Sequence, residues 1–369
     1  MLLNGIDKLD ELTGLAAGRR AAVLTNSAAR NRDGLGVLEA LAAAGIHPVL
    51  LFSPEHGFGA DADAGAEVDD STQGTAALRC ISLYGARKNI PAEALELFDV
   101  LIADLPDVGI RYYTYASTLF DAIADCAAAG REVIILDRAN PLGCGILEGP
   151  LLEMRHASIV GRYPVPVRHG MTLGEYAECA HRHFGLAPGV TLRRITAEGL
   201  PPDALFPEFG RSWINPSPNL RSFEALTVYS GTCLFEGTNL SEGRGTDAPF
   251  LRFGAPWMDA AAILSALPVF PGIKLHEEAF TPDASKFSGE VCRGIRMEIS
   301  DFREARSFEA VMEILTALRQ RHPSEVTFLN EHFDRLLGSS AWREERESTE
   351  ELLARAKREC QAFQQEFLP

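Results

Sequence analysis

Short apolar runs alternate with segments of helical period through the first half of the chain. Ala21–Thr25 (AAVLT) is apolar and ends at Asn26, the spacing over Leu35–Ala44 predicts a helix stopped at Gly45, and Pro48–Phe52 (PVLLF) and Cys80–Leu83 are further runs. Pro91–Phe98 reads as a helix, Val100–Leu105 as a strand, Ala116–Ala129 as a helix closed by Gly130, and Glu132–Leu136 (EVIIL) as a strand. Leu173–Phe184 and Thr191–Ile195 repeat the helix and strand pattern. Strands that are apolar on both alternate positions are buried on both faces, so the alternation predicts an α/β fold with a doubly wound parallel sheet.

Proline and glycine become dense between Pro201 and Pro218, which places a boundary near Asn219 and divides the chain into 1–219 and a smaller α+β part, 220–369. The second part predicts strands at Leu226–Tyr229 and Gly294–Ile299 and helices at Met258–Leu267 and Ser307–Arg321. Over Glu350–Phe367, Leu353, Ala356, Cys360, Phe363 and Phe367 recur at helical spacing, as expected of an amphipathic helix lying on the body of the protein.

Composition narrows the function. The 369 residues carry a formal charge of −16, the opposite of the basic footprint that nucleic acid requires, so nucleic acid is excluded as a partner. A small anionic ligand remains open, because a few focused arginines can dominate one cleft. No apolar stretch is long enough to span a membrane, and Asp7, Lys8, Asp10 and Glu11 interrupt the N-terminal segment where a secretory signal would be apolar. The seven cysteines are scattered and form no CxxC pair, which points to reduced thiols, a cytoplasmic location and no metal site. Nothing in the pattern sets an oligomeric state.

Ligands of open α/β sheets bind at the carboxyl ends of the strands, and polar residues gather just past those ends. Asn26 follows the first run, Ser53, Glu55 and His56 the second, Asp104, Asp107 and Arg111 the strand VLIADL, and Asp137, Arg138 and Asn140 the run EVIIL. Asp137 suits a capping role best. In F-S-P-E-H-G-F (52–58), Pro54 and Gly57 fix a tight turn that presents Glu55 and His56. A glutamate among apolar neighbours suits a general acid. D-V-G-I-R-Y-Y-T-Y (107–115) joins an acid, a guanidinium and aromatic rings fit to stack a sugar, Tyr113 and Tyr115 among them, with at least one tyrosine expected in the core. F-E-G-T-N-L-S-E-G-R-G-T (235–246) supplies Glu236, Asn239, Glu242 and Arg244 on a glycine-rich loop, suited to fork-like binding of a carboxylate. Arg168 and His169 are further candidates of that kind.

Several mechanisms lack their motif. There is no strand–GxGxxG–helix, no GxxxxGK[ST] and no GxSxG, so a dinucleotide cofactor, a P-loop and a hydrolase elbow are all excluded. The acidic loop 61–70 has its glycine one residue early for a calcium loop and reads as a solvated loop or a substrate gate.

The motifs FSPEHGF followed by DADAG, DVGIRYYTY, LDRxNPLG, EGP, RHGMTxGE, NPSPN and FEGTNxSEGRGTxxPF, in this order, resemble the NamZ-type exo-β-N-acetylmuramidases over nearly the whole chain. The resemblance implies a Rossmann-like N-terminal domain, a smaller C-terminal domain completing the cleft, no cofactor, and release of terminal N-acetylmuramic acid (MurNAc) from the non-reducing end of peptidoglycan fragments such as MurNAc–GlcNAc. Glu55, in the SPEHG motif, would be the leading catalytic acid. Many members read FRG where this chain reads FGA (58–60). Glycoside cleavage needs a second carboxylate, for which Asp107, Glu236 and Glu242 are candidates. Arg111 or Arg244 would bind the lactyl carboxylate of MurNAc, and His56 would orient Glu55 or bond a sugar hydroxyl. Alternatives are a lyase on the same linkage and a non-catalytic muropeptide-binding protein.

Overall fold

The computed structural model describes residues 1–62, 71–73, 78–85 and 87–368. Most of the acidic loop 61–70 therefore lies outside the described residues. The chain divides into two compact units: Met1–Gly109, Tyr113–Gly145 and Gly170–Pro218 form the first, and Ile110–Tyr112, Ile146–His169 and Asn219–Pro369 the second. The expectation of a first domain running unbroken over 1–219 keeps 110–112 and 146–169 in that domain. Here they group with the second unit.

The first unit is built on strands β1 (Ala21–Thr25), β2 (Leu50–Ser53), β3 (Ser71–Gln73), β4 (Leu78–Ser82), β5 (Val100–Asp104), β6 (Glu132–Leu136) and β7 (Leu192–Ile195), in the order β3-β4-β2-β1-β5-β6-β7. All neighbours pair in parallel except β3, which runs antiparallel to β4. The helices are α1 (Leu9–Ala16), α2 (Val37–Ala43), α3 (Ala92–Leu95), α4 (Tyr115–Ala128) and α5 (Leu173–His183).

Alternation inside the strands explains the layers. Val23, Leu51, Val100, Ile102, Ile134 and Ile195 point to one face, where Leu12 and Ala16 of α1 and Val37, Ala40 and Leu41 of α2 close a core. The intervening Ala22, Leu24, Phe52, Leu101, Val133 and Ile135 are also buried, so the sheet is covered on both sides. Chain order reverses between β1 and β5. That is the topological switch point, where an open α/β sheet leaves a crevice.

In the second unit, β8 (Arg252–Ala255), β9 (Ile273–Phe280) and β10 (Cys292–Ile299) form an antiparallel sheet ordered β8-β10-β9. Its helices are α6 (Phe223–Thr232), α7 (Ala260–Ala266), α8 (Ser307–Arg321), α9 (Asn330–Leu337) and α10 (Thr349–Phe367). Leu226–Tyr229, expected as a strand, lies inside α6. The helix starts at the Ser222 cap, whose side chain accepts from Ala225 N, and nearly every residue in it is buried, so no apolar period marks it in the sequence. Helix α10 buries Leu352, Ala356, Cys360 and Phe363 and packs on α8, with Leu352 taking the place expected of Leu353.

Candidate active site

The carboxyl ends of β1, β2 and β5 and the start of α4 bring Asn26, Glu55, His56, Asp107, Tyr113 and Tyr115 together in the first unit. After β1, Asn26 Oδ1 accepts from Ala28 N (3.1 Å) and its Nδ2 donates to Tyr115 Oη (2.7 Å). Tyr115 opens α4, is fully buried, and donates to the Pro216 carbonyl (2.7 Å). Burial pushes the Tyr115 phenol well above its ordinary value, and the charges of Glu55 and Asp107 push it further, so both carboxylates lie within its electrostatic reach. The Tyr113 ring packs at 4.5 Å from that of Tyr115. Both tyrosines are buried, which makes them the floor of the rim rather than an open face for stacking a sugar.

The loop after β2 is the expected tight turn. Gly57 N donates to Pro54 O (3.1 Å), and His56 and Gly57 both take left-handed backbone, at φ 70° and 71°. That conformation is unusual for a histidine and is held from outside: the ring nitrogen Nδ1 of His56 is 2.7 Å from Ala62 O, and Ser27 N and Oγ bond the carbonyls of Phe58 and Gly59. Glu55, itself buried, accepts at Oε2 from Thr114 Oγ1 (2.5 Å), the residue that precedes α4.

Asp107 follows β5. Its Oδ2 accepts from Gly109 N (2.9 Å), while Oδ1 is buried with no hydrogen-bond partner among the described residues. Gly109 stands at φ 75°, and a Cβ there would meet the Asn140 side chain at under 3 Å, so this turn requires glycine. Burial raises the Asp107 carboxyl to about 7, against the two backbone N–H bonds that favour its ionised form. A carboxyl that changes charge near neutral pH, with one oxygen unspent, is equipped for proton transfer.

A cavity of about 420 Å³ opens at this point, within the size range of small-molecule sites. Asp107 lines it, together with Arg30 and Asn31 from the loop after β1, Arg138 after β6, and Phe206, Arg211 and Trp213 from the proline-rich segment. Arg138 is bound through two nitrogens to the fully buried Asp104 and donates to Arg30 O (2.9 Å). Asp137 has the capping role expected of it, accepting from Thr172 Oγ1 (2.6 Å) and Gly174 N (2.9 Å) at the start of α5.

The remaining predicted residues lie in the second unit, where they are held by one another or by the backbone. Arg111 is 1 % exposed and donates to the carbonyls of Pro150 (2.7 Å), Val165 (2.8 Å), Leu336 (2.9 Å) and Leu337 (3.0 Å). This corrects its expected role as a substrate clamp: the guanidinium satisfies four buried carbonyls and ties three segments together. Arg168 pairs with the buried Glu148 (3.1 Å). His169 is buried and lowered to about 3 by desolvation and then by Arg111, so it is a neutral imidazole. Asn239 clamps a loop, donating to Glu325 O (2.7 Å) and accepting from Thr327 N (2.9 Å).

Arg244 bonds Glu236 (2.6 Å) and Glu242 (3.2 Å), and Lys286 adds a second ion pair to Glu242 (3.1 Å). Burial alone would raise Glu236, but bonds from His332 and Arg244 outweigh it and hold the carboxyl at about 2. The carboxylate-binding fork expected of Arg244 is thus filled by the protein's own carboxylates.

Sequence reasoning misses Arg30 and Arg211. The segment after the first run, S-A-A-R-N-R-D-G-L-G (27–36), carries no GxGxxG and draws no further notice, and Arg211 sits in the Pro201–Pro218 stretch that reads as a boundary. The available signal is position: Arg30 lies just past β1, at the strand-order reversal.

Comparison with known proteins agrees with this architecture. The family descriptions for exo-beta-N-acetylmuramidase NamZ match residues 21–224 (N-terminal) and 227–368 (C-terminal). A Bacillus subtilis (strain 168) protein described as peptidoglycan beta-N-acetylmuramidase NamZ is 34% identical over 326 residues, covering 87% of this chain and 78% of the relative. The crystal structures of two DUF1343 family proteins of Bacteroides fragilis superpose with TM-scores of 0.89 and 0.78, at 26% and 27% identity. Each alignment covers 99% of this chain, and 97% and 96% of the respective structures. The two family matches span nearly the entire chain, and the protein belongs to the NamZ family.

Proposed function

We infer that the protein is an exo-β-N-acetylmuramidase, a glycoside hydrolase that removes terminal MurNAc from the non-reducing end of peptidoglycan fragments such as MurNAc–GlcNAc. Family membership and the named activity of the Bacillus subtilis relative support the reaction. The observation that supports the site is Asp107, a carboxyl raised to about 7 that lines a cavity on the switch-point rim and whose buried Oδ1 has no hydrogen-bond partner among the described residues.

In this reading Glu55 donates its proton to the glycosidic oxygen as the C–O bond to the anomeric carbon breaks. Asp107 takes a proton from the water that attacks that carbon, giving free MurNAc and the shortened saccharide. Asn26 and Tyr115 hold the rim in register between the two acids. His56, bonded to the Ala62 carbonyl, fixes the backbone that presents Glu55.

Cys126, Cys179, Cys233, Cys292 and Cys360 are buried thiols, and no helix among the described residues is long and apolar enough to cross a membrane. The thiols support a cytoplasmic site of action, which fractionation of the producing cells would test.

Incubation with MurNAc–GlcNAc tests the reaction. Mass spectrometry is expected to show MurNAc and GlcNAc with one water added across the bond. A product lacking that water would mean a lyase, and tight binding without turnover would mean a binding protein. Anomeric NMR is expected to show inversion first, as a water-activating Asp107 requires. Retention would make Asp107 the nucleophile.

A further inference from the structure

Recognition of MurNAc turns on the acid that distinguishes it from GlcNAc, a carboxylate on a short ether arm. Such a group calls for an arginine whose fork is not already filled. Arg111 and Arg244 are filled, by carbonyls and by carboxylates respectively.

Four arginines line the cavity beside Asp107, and their pairing differs. Arg138 is engaged by Asp104, Arg211 by Asp7 (3.1 Å), and Arg32 lies 3.8 Å from the exposed Asp33. Among the described residues Arg30 makes one side-chain bond, Nη1 to Gly34 O (3.0 Å), and no carboxylate pairs with it. Its backbone carbonyl accepts from Arg138, which anchors the base of the side chain at the cavity wall. Asn31 stands next to it, with its Oδ1 held by the N–H groups of Asp33 (3.0 Å) and Leu35 (2.9 Å). The opposite character is also present: Phe206 and Trp213 meet edge to face at 4.9 Å and form an apolar wall for a sugar face or a methyl group.

We propose that this cavity is the recognition subsite for the sugar acid, with the Arg30 guanidinium binding the lactyl carboxylate and so selecting MurNAc over neutral hexosamines. The proposal rests on the muramidase reading and deepens it by naming the residue that selects the substrate. Arg30 binds and does not act on the reacting bond. Its work is to seat the ring so that the anomeric carbon faces Asp107 on the same cavity wall.

The test compares 4-nitrophenyl β-MurNAc with its lactyl methyl ester, using the full chain and the variants Arg30→Ala and Arg30→Gln. The wild type is expected to prefer the acid. In both variants that preference, the ratio of the two kcat/KM values, is expected to fall by roughly tenfold or more, the size of one charge-assisted bond, with the change in KM. Arg30→Gln keeps an uncharged polar side chain with much of the aliphatic stem, so it guards against a folding defect in the alanine variant. Calorimetric titration with free MurNAc and GlcNAc supplies a readout independent of turnover, and MurNAc binding is expected to weaken by a similar factor. Unchanged acid-to-ester selectivity and unchanged MurNAc affinity in both variants would overturn the proposal. Wild-type protein that binds MurNAc through Arg30 without cleaving either glycoside would instead overturn the hydrolase reading and leave the subsite standing.

Discussion

The rim of the first unit and the Glu236–Arg244–Glu242 cluster of the second contain the same kinds of side chain arranged to opposite ends. In the cluster every charge has a partner: Arg244 bonds both glutamates, Lys286 holds Glu242, and Glu236 is lowered to about 2. On the rim, Asp107 is raised to about 7, and among the described residues its Oδ1 has no hydrogen-bond partner and Arg30, on the same cavity, no carboxylate. Residue type and spacing make the two regions look equally catalytic. Pairing separates them, because a buried charge that is compensated holds a fold, whereas one left uncompensated is available to a ligand or a proton.

The largest effects should fall on the rim. Asp107→Asn and Glu55→Gln are each expected to lower kcat on MurNAc–GlcNAc by about 10²–10⁴, the usual contribution of a positioned acid or base, with the folded structure retained by circular dichroism. Equal losses from Glu236→Gln, in protein of unchanged stability, would erase the distinction between the regions.

The next effects should fall on stability in the second unit. Arg111→Ala strands four buried carbonyls, and denaturant unfolding is expected to show a loss of about 3–5 kcal/mol. Arg244→Ala leaves Glu236 and Glu242 uncompensated and is expected to cost about 2–4 kcal/mol, below the figure for a fully dry pair because Arg244 is partly exposed.

A smaller, opposite effect is expected at Asp107. A carboxyl raised in the folded state binds its proton there more tightly than in the unfolded chain, so its contribution to stability declines as pH rises from about 4 to about 7 and stays low above that. Asp107→Asn removes the liability and should raise Tm by a few degrees at pH 8 and by less at pH 5. A Tm shift independent of pH would show that the carboxyl is not raised. Tyr115→Phe should have the mildest effect on rate, a few-fold, because it removes the bonds to Pro216 O and from Asn26 Nδ2 but leaves the buried ring in place.

Much of the fold was legible in the sequence because the parallel strands are apolar on both faces and their helices end at glycine, as with AAVLT and EVIIL. Helix α6 was not, because a segment buried on every side shows no period. Strand β9 escaped for the opposite reason: it exposes much of its length, so its sequence, IKLHEEAF, carries little apolar signal. At the candidate site, the position of Glu55 and Asp107 just past strand ends was legible. The fate of the arginines was not. Nothing in DVGIRYYTY says that the Arg111 guanidinium will meet carbonyls from Pro150, Val165 and Leu336, which are distant in sequence. Nothing in SAARNRDG says that Arg30 will lack a carboxylate among the described residues.

In the proposed reaction Asp107 acts as the base while titrating near neutrality. The pH dependence of kcat/KM on MurNAc–GlcNAc tests it most directly. A limb that rises with pH, with a break near 7, is expected in the wild type and is expected to be missing from the residual activity of Asp107→Asn. A wild-type profile that is flat through that region, or whose break survives in Asp107→Asn, would contradict it.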